Sequence, residues 1–340
     1  MLDKSIEKLI RRKTLSSLEA SLSLEEILET ADPVKAAAFL VLLRSKGEKA
    51  CEVEGIVRTM QKHMLKITPK RDVLDIVGTG GDGASTVNIS TGAAILGAAC
   101  GVPIAKHGNR SVSSKCGSGD ILESLGVEIN MIPELIEKCI EEVGIAFLFA
   151  PNYHPAMKVV GPIRKSLGIR TVFNMLGPLL NPCQAPYLMI GVWDESLVSL
   201  LADVLSRLNV KRALVFHGCG LDELSPIGPA SAILVEGESM QEMHIDPESL
   251  GVSPCTLEDL QGGDPSKNRS LLLSVFEGKR GAIADALILN AGVGLWVYGQ
   301  AESIEAGLQL ARQKLEDGTA LGVLQKWVKF SQRGELCHVS

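Results

Sequence analysis

Lys106-His107-Gly108-Asn109-Arg110-Ser111-Val112-Ser113-Ser114 packs three potential cations, an amide and three hydroxyls into nine consecutive residues. Density of that kind suits a multiply charged oxyanion. Lys106 and Arg110 can neutralise phosphate, while Ser111, Ser113, Ser114 and main-chain N–H groups can bond its oxygens. Roughly a βαβ distance upstream lies Val77-Gly78-Thr79-Gly80-Gly81-Asp82-Gly83. Its glycines predict a nest of backbone N–H groups facing a diphosphate, with Asp82 reaching the ligand through Mg²⁺ or water. Between the two sits Asn88-Ile89-Ser90-Thr91, ahead of an Ala/Gly-rich helix. Free N–H groups and the positive end of a helix dipole would face an anion there, and a serine hydroxyl can also hold Mg²⁺. The plainer alternative is that Asn88, Ser90 or Thr91 only caps the helix.

Three further signals say less when read alone. Gly117-Ser118-Gly119-Asp120 opens another helix, with Ser118 as cap or phosphate ligand. Asp222-Glu223 follows a strand and a short loop. Adjacent carboxylates in a turning segment point in different directions, which suits bridging two hard cations better than sharing one proton; a solvated acidic turn is the alternative. Arg164, in Pro162-Ile163-Arg164-Lys165, reads by itself as a surface arginine. Residues 78–83 also satisfy G-x-G-x-x-G after a strand. Asp82 would then put a carboxylate inside a pyrophosphate loop, and the second strand ends in Ala105-Lys106-His107 where a ribose-binding acid is needed, so a dinucleotide site is disfavoured.

The elements that must position these residues change character along the chain. The first sixty-odd residues read as helix after helix. Leu2, Ile6, Leu9 and Ile10 form one apolar stripe, Ser23 with Glu26 resembles a capping box, and Asp32-Pro33 is a good start for a helix ending near Gly47. A fourth helical pattern spans about 49–65. From Val73 the grammar is βα: an apolar run at 73–77, a small-residue helix at about 91–100, then strands at 102–105, 146–149, 187–192, 213–216 and 232–235. That alternation predicts a mostly parallel sheet. Helical patterns fall at 133–143, 195–208 and several times over 265–330. Residues 155–186, carrying five prolines, read as a connection crossing between domains. The expected organisation is a helical domain at 1–68, joined by a returning segment at about 160–185, and an α/β domain at 69–340.

Composition narrows the partners. Apolar residues at 46% with aromatics at only 4% fit an aliphatic globular core and weaken any base-stacking role. A net charge of -6 disfavours nucleic acid or an anionic membrane as partner, so phosphate binding must be local. No two of the eight cysteines are spaced C-x-x-C, and buried reduced thiols are the expectation. The N-terminus lacks the apolar core of a secretory signal, and the apolar stretches are shorter than a membrane span, so a soluble cytoplasmic protein is expected.

Taken in order, D-x-V-G-T-G-G-D-G, N-I-S-T, K-H-G-N-R-S-V-S-S, L-G-P-L-x-N-P and G-L-D-E-L-S make the whole chain resemble the anthranilate phosphoribosyltransferases. Pyrimidine nucleoside phosphorylases, similar in fold, differ at K-H-G-N-R-S-V-S-S. The resemblance implies a fold of the nucleoside phosphorylase/phosphoribosyltransferase type with its site at the hinge between the domains. It also implies transfer of phosphoribose from 5-phosphoribosyl 1-diphosphate to the amine of anthranilate, two Mg²⁺ per monomer, and a homodimer joined through the helical domain. Phosphoribosyl diphosphate contacts carry over to Gly78, Gly81, Asp82, Thr86, Asn88, Ile89, Ser90, Thr91, Lys106, His107, Gly108, Asn109, Arg110, Ser111, Val112, Ser113, Ser114 and Ser118. Anthranilate contacts fall on Gly78, Asn109 and Arg164, with His107, His154 and Pro178 as channel walls, and metal ligands on Ser90, Asp222 and Glu223. The chain departs from the commonest pattern at Asn152, Cys116 and Gly119, where many relatives carry lysine, serine, and alanine or serine.

Overall fold

Four helices open the chain: α1 (Leu2–Ile10), α2 (Ser17–Thr30), α3 (Pro33–Lys46) and α4 (Ala50–His63). The structure is a computed structural model and describes residues 1–111 and 115–333. As expected, Asp32 caps α3, accepting from the N–H groups of Val34 and Lys35 at 2.9 and 3.2 Å, with Pro33 in the first turn. The capping box of α2 is not at Ser23 and Glu26. Ser16 and Glu19 bond each other's backbone reciprocally, so the helix begins a full two turns earlier. Ser23 is buried inside it, its hydroxyl donating to Glu19 O at 2.7 Å and lying 2.8 Å from Ser5 Oγ, and Glu26 receives the terminal ammonium. The S-x-x-E spacing occurs twice in this stretch, and only the first copy follows a loop whose orphan N–H groups need it.

The larger part is built on a sheet. Its strands are β1 (Leu74–Gly78), β2 (Ile104–Gly108), β3 (Ile145–Phe149), β4 (Tyr187–Gly191), β5 (Arg212–Gly218), β6 (Ala230–Glu236) and β7 (Ser239–Ile245). Among the described residues they lie in the order β3-β2-β1-β4-β5-β6-β7, parallel from β3 through β5 and antiparallel beyond. β7 has no counterpart in the sequence expectation. Its residues Ser-Met-Gln-Glu-Met-His-Ile offer almost no apolar alternation, because it is an exposed edge strand tied to β6 by the two-residue turn Gly237-Glu238. β2 runs three residues further than expected, so Lys106, His107 and Gly108 belong to the strand and not to the loop after it. Lys106 and His107 are buried there, at 2% and 4% exposure.

From β1 the chain moves outward to β2 and β3, then jumps back across β1 to β4. The strand order therefore reverses between β1 and β4, and a crevice opens beyond the carboxyl ends of such a pair. Helix α5 (Ile89–Ala99) connects β1 to β2 and points its N-terminus at that crevice. It packs closely under the helix Ala282–Tyr298: a Cβ at Gly92 would stand 2.7 Å from Leu287 Cδ2. The jump from β3 to β4 is less of a plain connection than its prolines suggested. It contains the helix Met157–Leu167, with Pro162 inside it, and the short turns Phe173–Leu176 and Gly177–Leu179. Backbone bonds from Leu65 to Tyr153 O and from Ile67 to Pro182 O, at 2.9 and 3.1 Å, tie the end of α4 to this segment. The described cysteines are free thiols, and no helix among the described residues is long and apolar enough to cross a membrane.

Candidate active site

Three neighbouring strands end on glycine, and each glycine makes room for the same turn. A Cβ at Gly78 of β1 would lie 2.2 Å from Asp222 Oδ2; at Gly191 of β4, 1.8 Å from Asp222 O; at Gly218 of β5, 2.5 Å from Glu223 O. The Asp222-Glu223 turn is thus seated directly on the strand ends, where any side chain would displace it. The two carboxylates diverge. Asp222 Oδ2 accepts a short hydrogen bond from Gly80 N–H, and Glu223 Oε1 accepts from Ser90 N–H at 3.3 Å.

Burial without enough positive charge dominates the electrostatics. Asp222 is held well above the ordinary carboxylate range, first by desolvation and then by repulsion from Glu223 and Asp82. Glu223 is pushed up to about 7 by desolvation, against the opposing pull of Lys106 and the Ser90 N–H. Lys106 is the nearest cation. Its ammonium donates to Ile76 O at 2.8 Å and Ser90 Oγ at 3.3 Å, leaving one of its three donors, and burial lowers its pKa despite Asp75, Glu223 and Asp222. Asp82, Asp222 and Glu223 against one lysine make an environment that repels an anion and fits a divalent cation. No three His, Cys, Asp or Glu side chains form a ready metal cage among the described residues, so a cation here would take Asp222, Glu223 and the Ser90 hydroxyl and draw its remaining ligands from elsewhere.

The N-terminus of α5 is only partly satisfied, with Ile89 N–H donating to Val87 O at 2.7 Å and Ser90 N–H to Glu223. Asn88 occupies the cap position but does not cap: its Nδ2 donates to Cys116 O at 3.0 Å, and its Oδ1 accepts from Asn268 at 2.9 Å. Asn88 instead pins the 115–117 loop beside the helix end. Thr91 Oγ1 is buried without a hydrogen-bond partner among the described residues. The glycine loop arches above, with Gly80, Gly81 and Gly83 at φ +69°, +89° and +76°, while Asp82 turns inward to accept from Ala84 N–H at 3.1 Å. Thr86 pairs with Gln261 in an isolated bridge at the loop's far end.

Past Gly108 the chain doubles back on itself. Asp120 accepts from the N–H groups of Ser111 and Gly117, both at 2.8 Å, and Ser118 Oγ donates to Asn109 O at 3.1 Å. Gly108 is required by that fold-back, since a Cβ would meet Ser118 Oγ at 2.2 Å. Arg110 departs from the phosphate role expected of it. Its guanidinium is held two-pronged by Glu123 at 2.6 and 3.0 Å and lies 5.2 Å from the Phe149 ring. Val112, Ser113 and Ser114 lie outside the described residues. Of the three unusual positions, Asn152 is buried against Asn130 at 3.4 Å, Cys116 is a buried thiol, and Gly119 sits where a Cβ would press on Arg110 at 3.2 Å.

The other wall of the crevice comes from the β3–β4 connection. His107 Nδ1 lies 3.0 Å from Gly177 O, so that nitrogen donates; its Nε2 must then accept, and His154 Nε2 donates to it across 3.1 Å. Both rings stay neutral: burial carries His107 down to about 3 and His154 to about 4. Pro178 is buried in the turn that supplies Gly177. Arg164 stands with its guanidinium 5.5 Å from the Phe173 ring centre and no acidic partner among the described residues, and desolvation alone lowers its pKa.

Several residues here escaped sequence reasoning. Asp75, wholly buried in β1 and raised by desolvation to about 6, accepts from His107 N–H at 3.3 Å and from Asn181 Nδ2 at 2.8 Å. Asn181 also donates to Ala105 O at 2.7 Å, so the pair locks β1 and β2 to the returning segment. An acid inside an otherwise apolar strand was the available signal. Gly191 and Gly218, closing apolar strands, gave another. Arg170 gave none; its Nη2 donates to Gly81 O at 2.6 Å.

Comparison with known proteins agrees with this anatomy. Residues 4–64 match the helical bundle domain of a glycosyl transferase family, and residues 70–321 match the a/b domain of a glycosyl transferase family. An anthranilate phosphoribosyltransferase of Chlamydia felis is 48% identical over 337 residues, spanning 99% of this chain and 98% of that protein. That of Desulforamulus reducens is 44% identical over 335 residues, 98% of this chain and 97% of the relative. The chain belongs to the anthranilate phosphoribosyltransferase family. The anthranilate phosphoribosyltransferase of Thermus thermophilus is 41% identical with a TM-score of 0.90, covering 96% of this chain and 99% of that one. The Saccharomyces cerevisiae anthranilate phosphoribosyltransferase, solved in complex with PRPP and Mg, is 28% identical with a TM-score of 0.90 and covers 98% of each chain.

Proposed function

We propose that the protein transfers the phosphoribosyl group of 5-phosphoribosyl 1-diphosphate to the amine of anthranilate, a step of tryptophan biosynthesis, giving N-(5-phosphoribosyl)anthranilate and diphosphate. The observation that carries this reading is the juxtaposition, at one switch point, of a helix N-terminus without a side-chain cap from Asn88, a glycine loop, a buried acidic pair and an arginine with no acidic partner among the described residues. Displacement at an anomeric carbon passes through an oxocarbenium-like state, so catalysis is positioning and charge stabilisation, with no protein nucleophile. Lys106 and the N–H groups of residues 81–83 and 91 hold the diphosphate, those of Thr79, Gly80, Ile89 and Ser90 being bonded within the protein. Asp222, Glu223 and Ser90 would hold Mg²⁺, two ions per monomer, which when bound neutralise the leaving diphosphate. Arg164 takes the anthranilate carboxylate, and Asn109, whose Nδ2 has no partner among the described residues, faces the amine.

His107, His154 and Pro178 wall the acceptor's channel. Being neutral and mutually hydrogen-bonded, the two imidazoles orient without presenting a strong base. None is required, since the aromatic amine becomes acidic only as the C–N bond forms, and diphosphate or water takes its proton. A homodimer joined through the helical domain, in the cytoplasm, completes the proposal; exposed Leu18, Leu22, Val34 and Val41 on α2 and α3 support such a contact. Anthranilate fluoresces, so its disappearance on mixing with protein, Mg²⁺ and phosphoribosyl diphosphate tests the reaction. Persistence of the signal in the complete mixture would refute it.

A further inference from the structure

The outermost point of the glycine loop is fixed by one side chain from a distant segment. Arg170 Nη2 donates to Gly81 O at 2.6 Å, and its guanidinium lies 4.7 Å from the Trp193 ring centre. Trp193 is tied to the same loop from the other side: its N–H donates to Thr79 Oγ at 3.2 Å, and Thr79 N–H donates to Gly191 O at 3.0 Å. Thr79, Trp193, Arg170 and Gly81 therefore close a ring around the loop's first turn. Among the described residues Arg170 has no carboxylate partner, so the Gly81 carbonyl is the one acceptor its guanidinium bonds there.

The position of that bond matters because a peptide unit is planar, with C=O and N–H pointing in opposite directions. Holding the Gly81 carbonyl against Arg170 aims the Asp82 N–H the other way. It also keeps a carbonyl oxygen, which would repel an anion, turned out of the nest. With Gly80, Gly81 and Gly83 all at positive φ, the loop's backbone has little intrinsic preference for this orientation, and an external tether decides it. Arg170 follows the helix Met157–Leu167 by three residues, and that helix carries Arg164. One short segment thus supplies a guanidinium to each side of the crevice.

We propose that Arg170, with Trp193 as its platform, is a positioning residue that orients the glycine loop for diphosphate; this rests on the phosphoribosyl transfer reading above. Removing Arg170 leaves every group that contacts the acceptor in place, so the effect is confined to one substrate. In Arg170→Ala the KM for phosphoribosyl diphosphate should rise about tenfold while the KM for anthranilate and the Tm stay near wild type. Guanidinium ion at millimolar concentration should recover part of the loss, and ammonium should not, because only a planar cation fills the stacked position. Arg170→Lys should behave like Arg170→Ala for the same reason.

Two results would overturn the proposal: an unchanged KM for phosphoribosyl diphosphate in Arg170→Ala, or a joint fall of Tm and of both substrates' kinetics without rescue. Calorimetric binding of inorganic diphosphate with Mg²⁺ separates this from the reaction itself. If wild type fails to consume anthranilate yet binds Mg²⁺–diphosphate about tenfold more tightly than Arg170→Ala, the transfer reading fails and the positioning role stands. If wild type binds no Mg²⁺–diphosphate, both fail.

Discussion

At one end of the crevice three strands stop on Gly78, Gly191 and Gly218, and the polar groups are backbone and two buried carboxylates; at the other, His107, His154, Pro178 and Arg164 present bulky side chains. The glycine end is crowded by main chain and short of positive charge. The imidazole end is neutral apart from one desolvated arginine. The contrast teaches that the two ends are stabilised by different things: the first by the absence of side chains, the second by hydrogen bonds among them. Substitutions should therefore break the first end through sterics and charge, and the second through affinity for one substrate.

The sharpest break is Gly191→Ala. With its Cβ placed 1.8 Å from Asp222 O, the acidic turn must move, and we expect a loss of about 3 kcal/mol in urea unfolding and roughly 100-fold in kcat. Stability and rate within twofold of wild type would contradict the seating of the turn. Next comes the double change Asp222→Asn with Glu223→Gln, which keeps shape and removes charge. It should lower kcat by about 100-fold and move the Mg²⁺ concentration dependence, with folding intact or improved because two desolvated, mutually repelling carboxyl groups are gone. An unaltered Mg²⁺ profile would sink the metal role.

Arg164→Ala tests the imidazole end, with an expected rise of about 10- to 100-fold in the KM for anthranilate and little change for phosphoribosyl diphosphate. Equal losses for both substrates would erase the division between the ends. The smallest effect is on pH-dependent stability. His107 and His154 bind protons more weakly folded than unfolded, so their contribution is present above about 6.5 and is lost as pH falls toward 4 and 3. Asp75, raised to about 6, acts with the opposite sign, favouring the folded state as pH falls from 6 toward 4. Chemical denaturation between pH 7 and 5 should show His154→Leu flattening the decline and Asp75→Asn steepening it, each by roughly 1 kcal/mol. Parallel curves would count against both assignments.

Much of the glycine end was legible because its parts are contiguous: residues 78–83, 88–91 and 106–114 each read as a unit, and the βα alternation brings them to the same end of the sheet. The seating of Asp222-Glu223 was not, since it depends on glycines from three strands whose order in the sheet no local pattern gives. Arg164 was singled out only through the family resemblance, and Arg170 not at all, for a related reason. Each is an arginine in a proline-rich stretch, and its meaning comes from what lies across the crevice. β7 and the start of α2 were missed on different grounds, an edge strand without alternation and a capping spacing that occurs twice.

Ten of the eleven residues of α5 are buried, and its glycines and alanines let neighbouring helices close on it without gaps. Its amides should be among the slowest in the molecule to exchange with solvent, opening only when the whole domain unfolds. Residues 79–83, held by a handful of bonds over flexible glycines, should exchange through brief local openings instead. The helix end is then a fixed anvil beneath a loop held at fewer points, so a ligand arriving at the crevice would slow exchange in the loop and leave the helix unchanged.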